Sequence, residues 1–151
     1  YIYLLKGLKR REIAVETVPG ITSFSLASSI TGISLAEQEE KIAILPWAYE
    51  VGGLMEILER FDTVILMKVR GNCSQLVDQL EAAGLKGNSV FVSRLGFDRE
   101  MIEYDLDRIR GLDADYLSMI IVRKPREIKM MRKGEPDGLP QVTEGNRKNQ
   151  L

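Results

Sequence analysis

The chain reads as an α/β protein: an αβα layered fold around a mostly parallel or mixed sheet of about five strands. Three observations predict it. Strand-like and helix-like segments alternate over residues 12–122. Thr63 to Val69 is an almost unbroken run of Val, Ile, Leu and Met, the pattern of a strand covered on both faces. Gly32 and Gly84 stand where two helical patterns have to stop.

Taken in order, Tyr1, Leu4, Leu5 and Leu8 recur at helical spacing, so a helix begins at or before the first residue. Glu12 to Val18 is rich in β-formers and ends at Pro19-Gly20, a pair that stops a strand and turns the chain. Thr22 or Ser23 caps the next segment, Phe24 to Ile30, whose small residues Ala27, Ser28 and Ser29 suit a helix lying close to a sheet. Lys41 to Leu45 predicts a short buried strand closed by Pro46. Leu54, Ile57, Leu58 and Phe61 then form an apolar helical stripe, and Thr63 to Val69 is expected at the sheet centre. Asn72 and Gln75 have the spacing of a capping box for a helix carrying Leu76, Val77 and Leu80. Ser89 to Arg94 is the next strand, Met101 to Leu106 an edge strand of alternating polarity, and Tyr116 to Val122 the last strand. Beyond Lys124, Pro, Gly and charged residues replace aliphatics. Residues 1–124 are therefore expected to form the domain and residues 125–151 a mobile polar tail.

Composition narrows the function. The 151 residues are 44% hydrophobic and 28% charged, enough for one sizeable core. Lys and Arg number 21 against 22 Asp and Glu, a net charge of -1 that gathers neither nucleic acid nor an anionic membrane. Cys73 is the single cysteine, which excludes an internal disulfide, and no apolar run reaches the roughly 20 residues that span a bilayer. A cytoplasmic setting is the expectation. The first residue is Tyr rather than Met and already lies in a helical pattern, which predicts a fragment of a longer protein.

With no histidine and one cysteine, Ser-His-Asp triads, Cys-His dyads and His-rich metal sites are excluded. Glu37, Glu39 and Glu40 are the densest acidic cluster, and a charge run of this kind is ordinarily a solvated loop, so no metal is expected. Gly71, Gly84, Gly87 and Gly96 match neither GxGxxG nor a P-loop. The informative piece is Val18-Pro19-Gly20-Ile21-Thr22-Ser23-Phe24, a strand end, a tight turn and a helix start. Backbone amides at such a junction bind small ligands in open α/β sheets, while the plainer reading makes Thr22 or Ser23 a helix cap and no more. Composition leaves both open.

That segment, with Ser25, resembles the V-P-G-[IV]-[TS]-[SA] segment of the tetrapyrrole (corrin and porphyrin) methylases. Four further segments follow in the family's order: Ile42 to Pro46, Val64 to Lys68, Val92 to Gly96 and Tyr116 to Val122. The likeness covers residues 1–124 and is nearest to the branch that methylates C20 of precorrin-2 or its cobalt form in cobalamin biosynthesis. It implies S-adenosylmethionine as methyl donor, bound between two α/β domains of which this chain is the C-terminal one, with a tetrapyrrole substrate and a homodimeric assembly. By motif position it assigns Thr22, Ser23, Met67, Leu95 and Gly96 to the cofactor. It assigns no catalytic residue. Read alone, Met67 is core filler, Leu95 a buried aliphatic and Gly96 a turn, although a thioether also packs well on an adenine ring. Lys68 and Arg94, at strand ends, are candidates for the substrate's carboxylates. Methyl transfer from a sulfonium requires alignment rather than a protein nucleophile, so a site without His or reactive Cys is compatible with it. The alternatives are a methylase of the same superfamily with another substrate, or a non-catalytic binding or dimerisation module.

Overall fold

The computed structural model describes residues 1–46 and 53–125, so the expected tail lies outside the described residues apart from Pro125. Helices are α1 (Ile2–Arg10), α2 (Ser23–Thr31), α3 (Leu54–Arg60) and α4 (Ser74–Ala82). Strands are β1 (Ile42–Pro46), β2 (Thr63–Met67), β3 (Gly71–Asn72), β4 (Ser89–Ser93), β5 (Met101–Glu103), β6 (Asp113–Ala114) and β7 (Ser118–Arg123). Five of them form one mixed sheet in the order β1-β2-β7-β4-β5, and β3 pairs with β6 in a separate two-stranded ribbon. β1 and β2 run parallel, while β7 is antiparallel to both β2 and β4. The expected α/β sheet of five strands is the observed one.

Alternation along each interior strand sends side chains to two different cores. Val64, Leu66, Phe91, Ile120 and Val122 face Leu54 and Leu58 of α3 and Leu76, Val77 and Leu80 of α4. Ile65, Val90, Val92, Met119 and Ile121 face Ala27 of α2, with Phe24, Ile33 and Leu35 packed alongside. Helices therefore cover both faces, which is why β2, β4 and β7 are buried at nearly every position and mostly apolar. Gly32 and Gly84 stop α2 and follow the end of α4 at φ 70 and 67, conformations that a Cβ disfavours.

Five expectations change. The strand expected to be buried at Lys41 to Leu45 is β1, an edge strand in which Ala43 is buried while Ile42 and Ile44 are exposed, because it has a neighbour on one side only. Glu12 to Val18 forms no strand: Ile13, Val15 and Val18 remain exposed, since β-propensity without a neighbouring ladder leaves the backbone unpaired. The sheet centre is β7 rather than Thr63 to Val69, because β7 inserts antiparallel between β2 and β4. α4 starts at Ser74 with Cys73 as its N-cap and no side-chain capping bond, so the Asn72–Gln75 spacing does not frame its start. The edge strand ends at Glu103, and Leu106 belongs to a short 3₁₀ turn, Leu106–Ile109, that buries Leu106 and Ile109. Among the described residues no helix is long and apolar enough to cross a membrane.

Candidate functional site

β1, β2 and β4 point the same way, so their carboxyl ends share one edge of the sheet with the amino end of β7. Ligands in open α/β sheets bind outside that edge. A cleft of about 290 Å³ lies there. Its apolar lining includes Met67 from β2, Val92 from β4, Met119 from β7 and Leu26 from α2, with Phe97, Tyr116 and Leu117 from the loops. Met119 stands opposite both Met67 and Val92 in the ladders, which brings two thioethers side by side.

Polar groups gather at the mouth. Lys68 and Arg94 each follow the last residue of a strand, and both adopt left-handed backbone angles, φ 59 and 54. Such angles are unfavourable for residues with a Cβ and concentrate at functional sites. Their surroundings hold them. The Val69 amide donates to the Ser118 carbonyl at 3.2 Å and the Arg94 amide to the Leu117 carbonyl at 3.1 Å, so both strand exits are tied to the start of β7. Arg94 Nη1 donates to Asp115 Oδ2 at 2.7 Å, and Lys68 Nζ lies 5.2 Å from the centroid of the Tyr116 ring. Arg94 Nε is buried with no hydrogen-bond partner. Below them the hydroxyls of Ser93 and Ser118 share a buried hydrogen bond of 2.9 Å.

Of the seven residues singled out in the sequence, Ser23, Met67, Lys68, Arg94 and Leu95 line this one cleft. Thr22 and Gly96 border it without lining it. Thr22 is the N-cap of α2: its Oγ1 accepts from the Ser25 amide at 3.4 Å and pairs with Ser25 Oγ at 2.8 Å. Gly96, at φ 77, turns the chain between Leu95 and Phe97, and its amide donates to Glu100 Oε2 at 2.6 Å. The acidic cluster lies elsewhere, where Glu40 receives Arg123 Nη2 at 2.7 Å. Among the described residues no group of three His, Cys, Asp or Glu is placed to hold a metal ion.

Sequence reasoning missed Asp115, Tyr116, Leu117, Ser118 and Met119 as site residues. The last four fell within a recognised strand segment, but only the antiparallel insertion of β7 carries its amino end to the cleft. Phe97 was missed too; an aromatic directly after the Leu95-Gly96 pair was the available signal, and the structure leaves its ring exposed beside the cleft.

The family model of the "Tetrapyrrole (Corrin/Porphyrin) Methylases" matches residues 1–109. A probable cobalt-precorrin-2 C(20)-methyltransferase of Methanocaldococcus jannaschii is 31% identical over 128 residues, covering 82% of this chain and 53% of that protein. The cobalt-precorrin-2 C(20)-methyltransferase of Salmonella typhimurium is 27% identical, covering 84% of this chain and 54% of the relative. The chain thus spans about half the length of the curated relatives it matches. Among solved structures, a cobalt precorrin-4 methyltransferase superposes with a TM-score of 0.57 at 21% identity, covering 81% of this chain and 57% of that one. A uroporphyrin-III C-methyltransferase from Thermus thermophilus, complexed with S-adenosyl homocysteine, superposes with a TM-score of 0.51 at 21% identity, covering 80% and 57%. These two likenesses carry the fold. The family match over residues 1–109 and the cobalamin-pathway relatives carry membership: the chain belongs to the tetrapyrrole (corrin/porphyrin) methylases.

Proposed function

We propose that this chain forms one wall of an S-adenosylmethionine-dependent C-methyltransferase site acting on a tetrapyrrole of cobalamin biosynthesis, at C20 of precorrin-2 or its cobalt form. The observation that carries the reading is the cleft at the carboxyl edge of β2 and β4, apolar inside and cationic at its mouth. The likeness to cobalt-precorrin-2 C(20)-methyltransferases supports the choice of substrate.

The residues present fit the methyl donor. Met67, Val92, Leu95 and Met119 offer an apolar, polarizable surface for an adenine ring, and Ser23 opens α2 where helix amides point outward. In this reading Ser23, Met67 and Leu95 contact the cofactor, while Thr22 and Gly96 hold the backbone that presents them. Bound there, S-adenosylmethionine supplies a methyl group on a sulfonium that needs no activation by the protein. The chain's part is to align and to exclude water. Apolar side chains dry the cleft, and Lys68 and Arg94 orient the acetate and propionate carboxylates of the tetrapyrrole at its mouth. The remaining wall is assigned to a preceding domain of the kind that the longer relatives have room for, and the assembly to a cytoplasmic homodimer.

Calorimetric titration with S-adenosyl homocysteine tests this on two forms, the present chain and one extended upstream. The extended form is expected to bind in the micromolar range and to methylate precorrin-2, and the present chain to bind weakly and turn over nothing. Equal affinity of the two forms for the cofactor product would overturn the two-walled cleft.

A further inference from the structure

Lys68 and Arg94 leave the sheet from different strands, yet both are held by one short segment, Asp115 to Ser118. Asp115 fixes that segment on itself: Leu117 N–H donates to its carboxylate Oδ1 at 2.9 Å, and Ser118 N–H donates to its backbone carbonyl at 3.1 Å. The backbone exits of β2 and β4 hang from the same segment through the Val69–Ser118 and Arg94–Leu117 hydrogen bonds. The side chains are held there as well, Arg94 by Asp115 Oδ2 and Lys68 by the Tyr116 ring. A cleft meant to attract anions has no electrostatic reason to carry a carboxylate at its mouth. Its presence requires another explanation.

We propose that Asp115 and Tyr116 are positioning residues for a polycarboxylate ligand, setting the spacing and orientation of two cations at the cleft mouth. Asp115 accepts only from Nη1 of Arg94; among the described residues the Arg94 side chain donates to no other acceptor, and its Nε is buried without a partner. The guanidinium is thereby turned so that its remaining terminal nitrogen is left for a ligand oxygen. Tyr116 is more than half exposed and holds the Lys68 ammonium by its ring face, which keeps that charge at the mouth without neutralising it. The ligand chemistry is a rigid, flat molecule bearing several separated carboxylates. This deepens the proposed function and rests on its assignment of Lys68 and Arg94 to substrate carboxylates.

The test is titration of the full chain with uroporphyrin, a porphyrin polycarboxylate, and with its neutral amide derivative, followed by absorbance, with thermal melts on every variant. Wild type is expected to bind the polycarboxylate and to bind the amide at least about tenfold more weakly, on the scale of a lost charge-assisted hydrogen bond. Arg94→Gln and Lys68→Gln should each weaken polycarboxylate binding by roughly tenfold. Asp115→Asn then separates two explanations by sign. Removing a carboxylate makes the mouth more positive, so charge alone demands tighter binding, whereas loss of positioning demands weaker binding by roughly tenfold. Asp115→Glu should restore most of the affinity, and Asp115→Asn added to Arg94→Gln should cost nothing further. Tyr116→Leu should weaken binding and Tyr116→Phe, which keeps the ring, should not. Tighter binding by a folded Asp115→Asn protein, or additive losses in the double variant, overturns the positioning role alone. No binding by wild type, or unchanged binding by Arg94→Gln, overturns the carboxylate reading beneath it.

Discussion

At the scale of single residues, the proposed roles of Thr22 and Gly96 are support rather than contact. The Thr22 hydroxyl satisfies an amide at the start of α2, and losing an N-cap of this kind costs about 1 kcal/mol. Thr22→Val is therefore expected to lower the melting temperature while S-adenosyl homocysteine affinity in the upstream-extended form changes less than about threefold, the lower end of what a lost hydrogen bond produces. A larger loss of affinity at an unchanged melting temperature would return the hydroxyl to the cofactor. Gly96 is required for its φ of 77 rather than for space, since an added Cβ meets nothing within 4 Å. Gly96→Ala should thus destabilise by about 1–2 kcal/mol through left-handed strain, measurable by urea denaturation without any ligand. Lys68 and Arg94 occupy the same backbone region with large side chains. Their backbone is held there by the bonds to Leu117 and Ser118 and could not have been inferred from residue type.

Among the elements, β4 and β7 carry the core and α4 carries a charged strap. Phe91 is fully buried between β4 and the α3–α4 layer, so Phe91→Ala should cost about 3–5 kcal/mol. Calorimetric melting checks it, and a cost below about 1 kcal/mol would mean that the site collapses around the deletion. On the outer side, Arg110 reaches Asp78 and Glu81 of α4 and Asp107 of the 3₁₀ turn, and Lys86 bridges Glu81 and Asp107. Hydrogen bonds from Arg110 and then Lys86 hold the Asp107 carboxyl below its ordinary 3.8. A depressed carboxyl stabilises the fold above its unfolded value, and that contribution disappears as pH falls through the folded value. Hydrogen bonds from Glu81 and then Asp107 raise Lys86 above 10.5, so its contribution is complete below 10.5 and is lost only as pH rises through the folded value. Denaturation profiles should accordingly fall on the acid side below 3.8, and Asp107→Asn should flatten part of that fall. An unchanged acid limb in the variant would assign the slope to other carboxylates.

Across the whole molecule, burial is uneven. β2 and β7 are shielded on both faces, whereas α1 has no buried residue and Tyr1, Ile2, Tyr3 and Leu4 are all more than half exposed. Amide exchange in the present chain should therefore be slowest in β2 and β7 and fast in α1, because opening a helix without buried contacts costs little. Protection of α1 that rises in the upstream-extended form would locate the added wall on that helix; α1 amides as slow as those of Ile65 in the present chain would contradict its lack of packing. Ile42 and Ile44 of β1 are exposed on the same sheet face that carries Met119 and Val92.

Local sequence determined most elements because their causes are local. The period of Leu76, Val77 and Leu80 makes α4, a left-handed glycine stops α2, and the aliphatic run at Thr63 has one favourable environment, a sheet covered on both sides. The family segments singled out Ser23, Met67 and Leu95 and the strand ends Lys68 and Arg94, and these five line one cleft. Tertiary structure alone decided that β7 enters the sheet antiparallel between β2 and β4, since pairing partners far apart in the chain leave no periodic trace. From that placement come the Met67–Met119 floor, the Ser93–Ser118 hydroxyl pair and the Asp115–Arg94 bond. It also decided that Glu12 to Val18, with the composition of a strand, has no ladder to join, because strand formation is a property of two segments and sequence propensity describes only one.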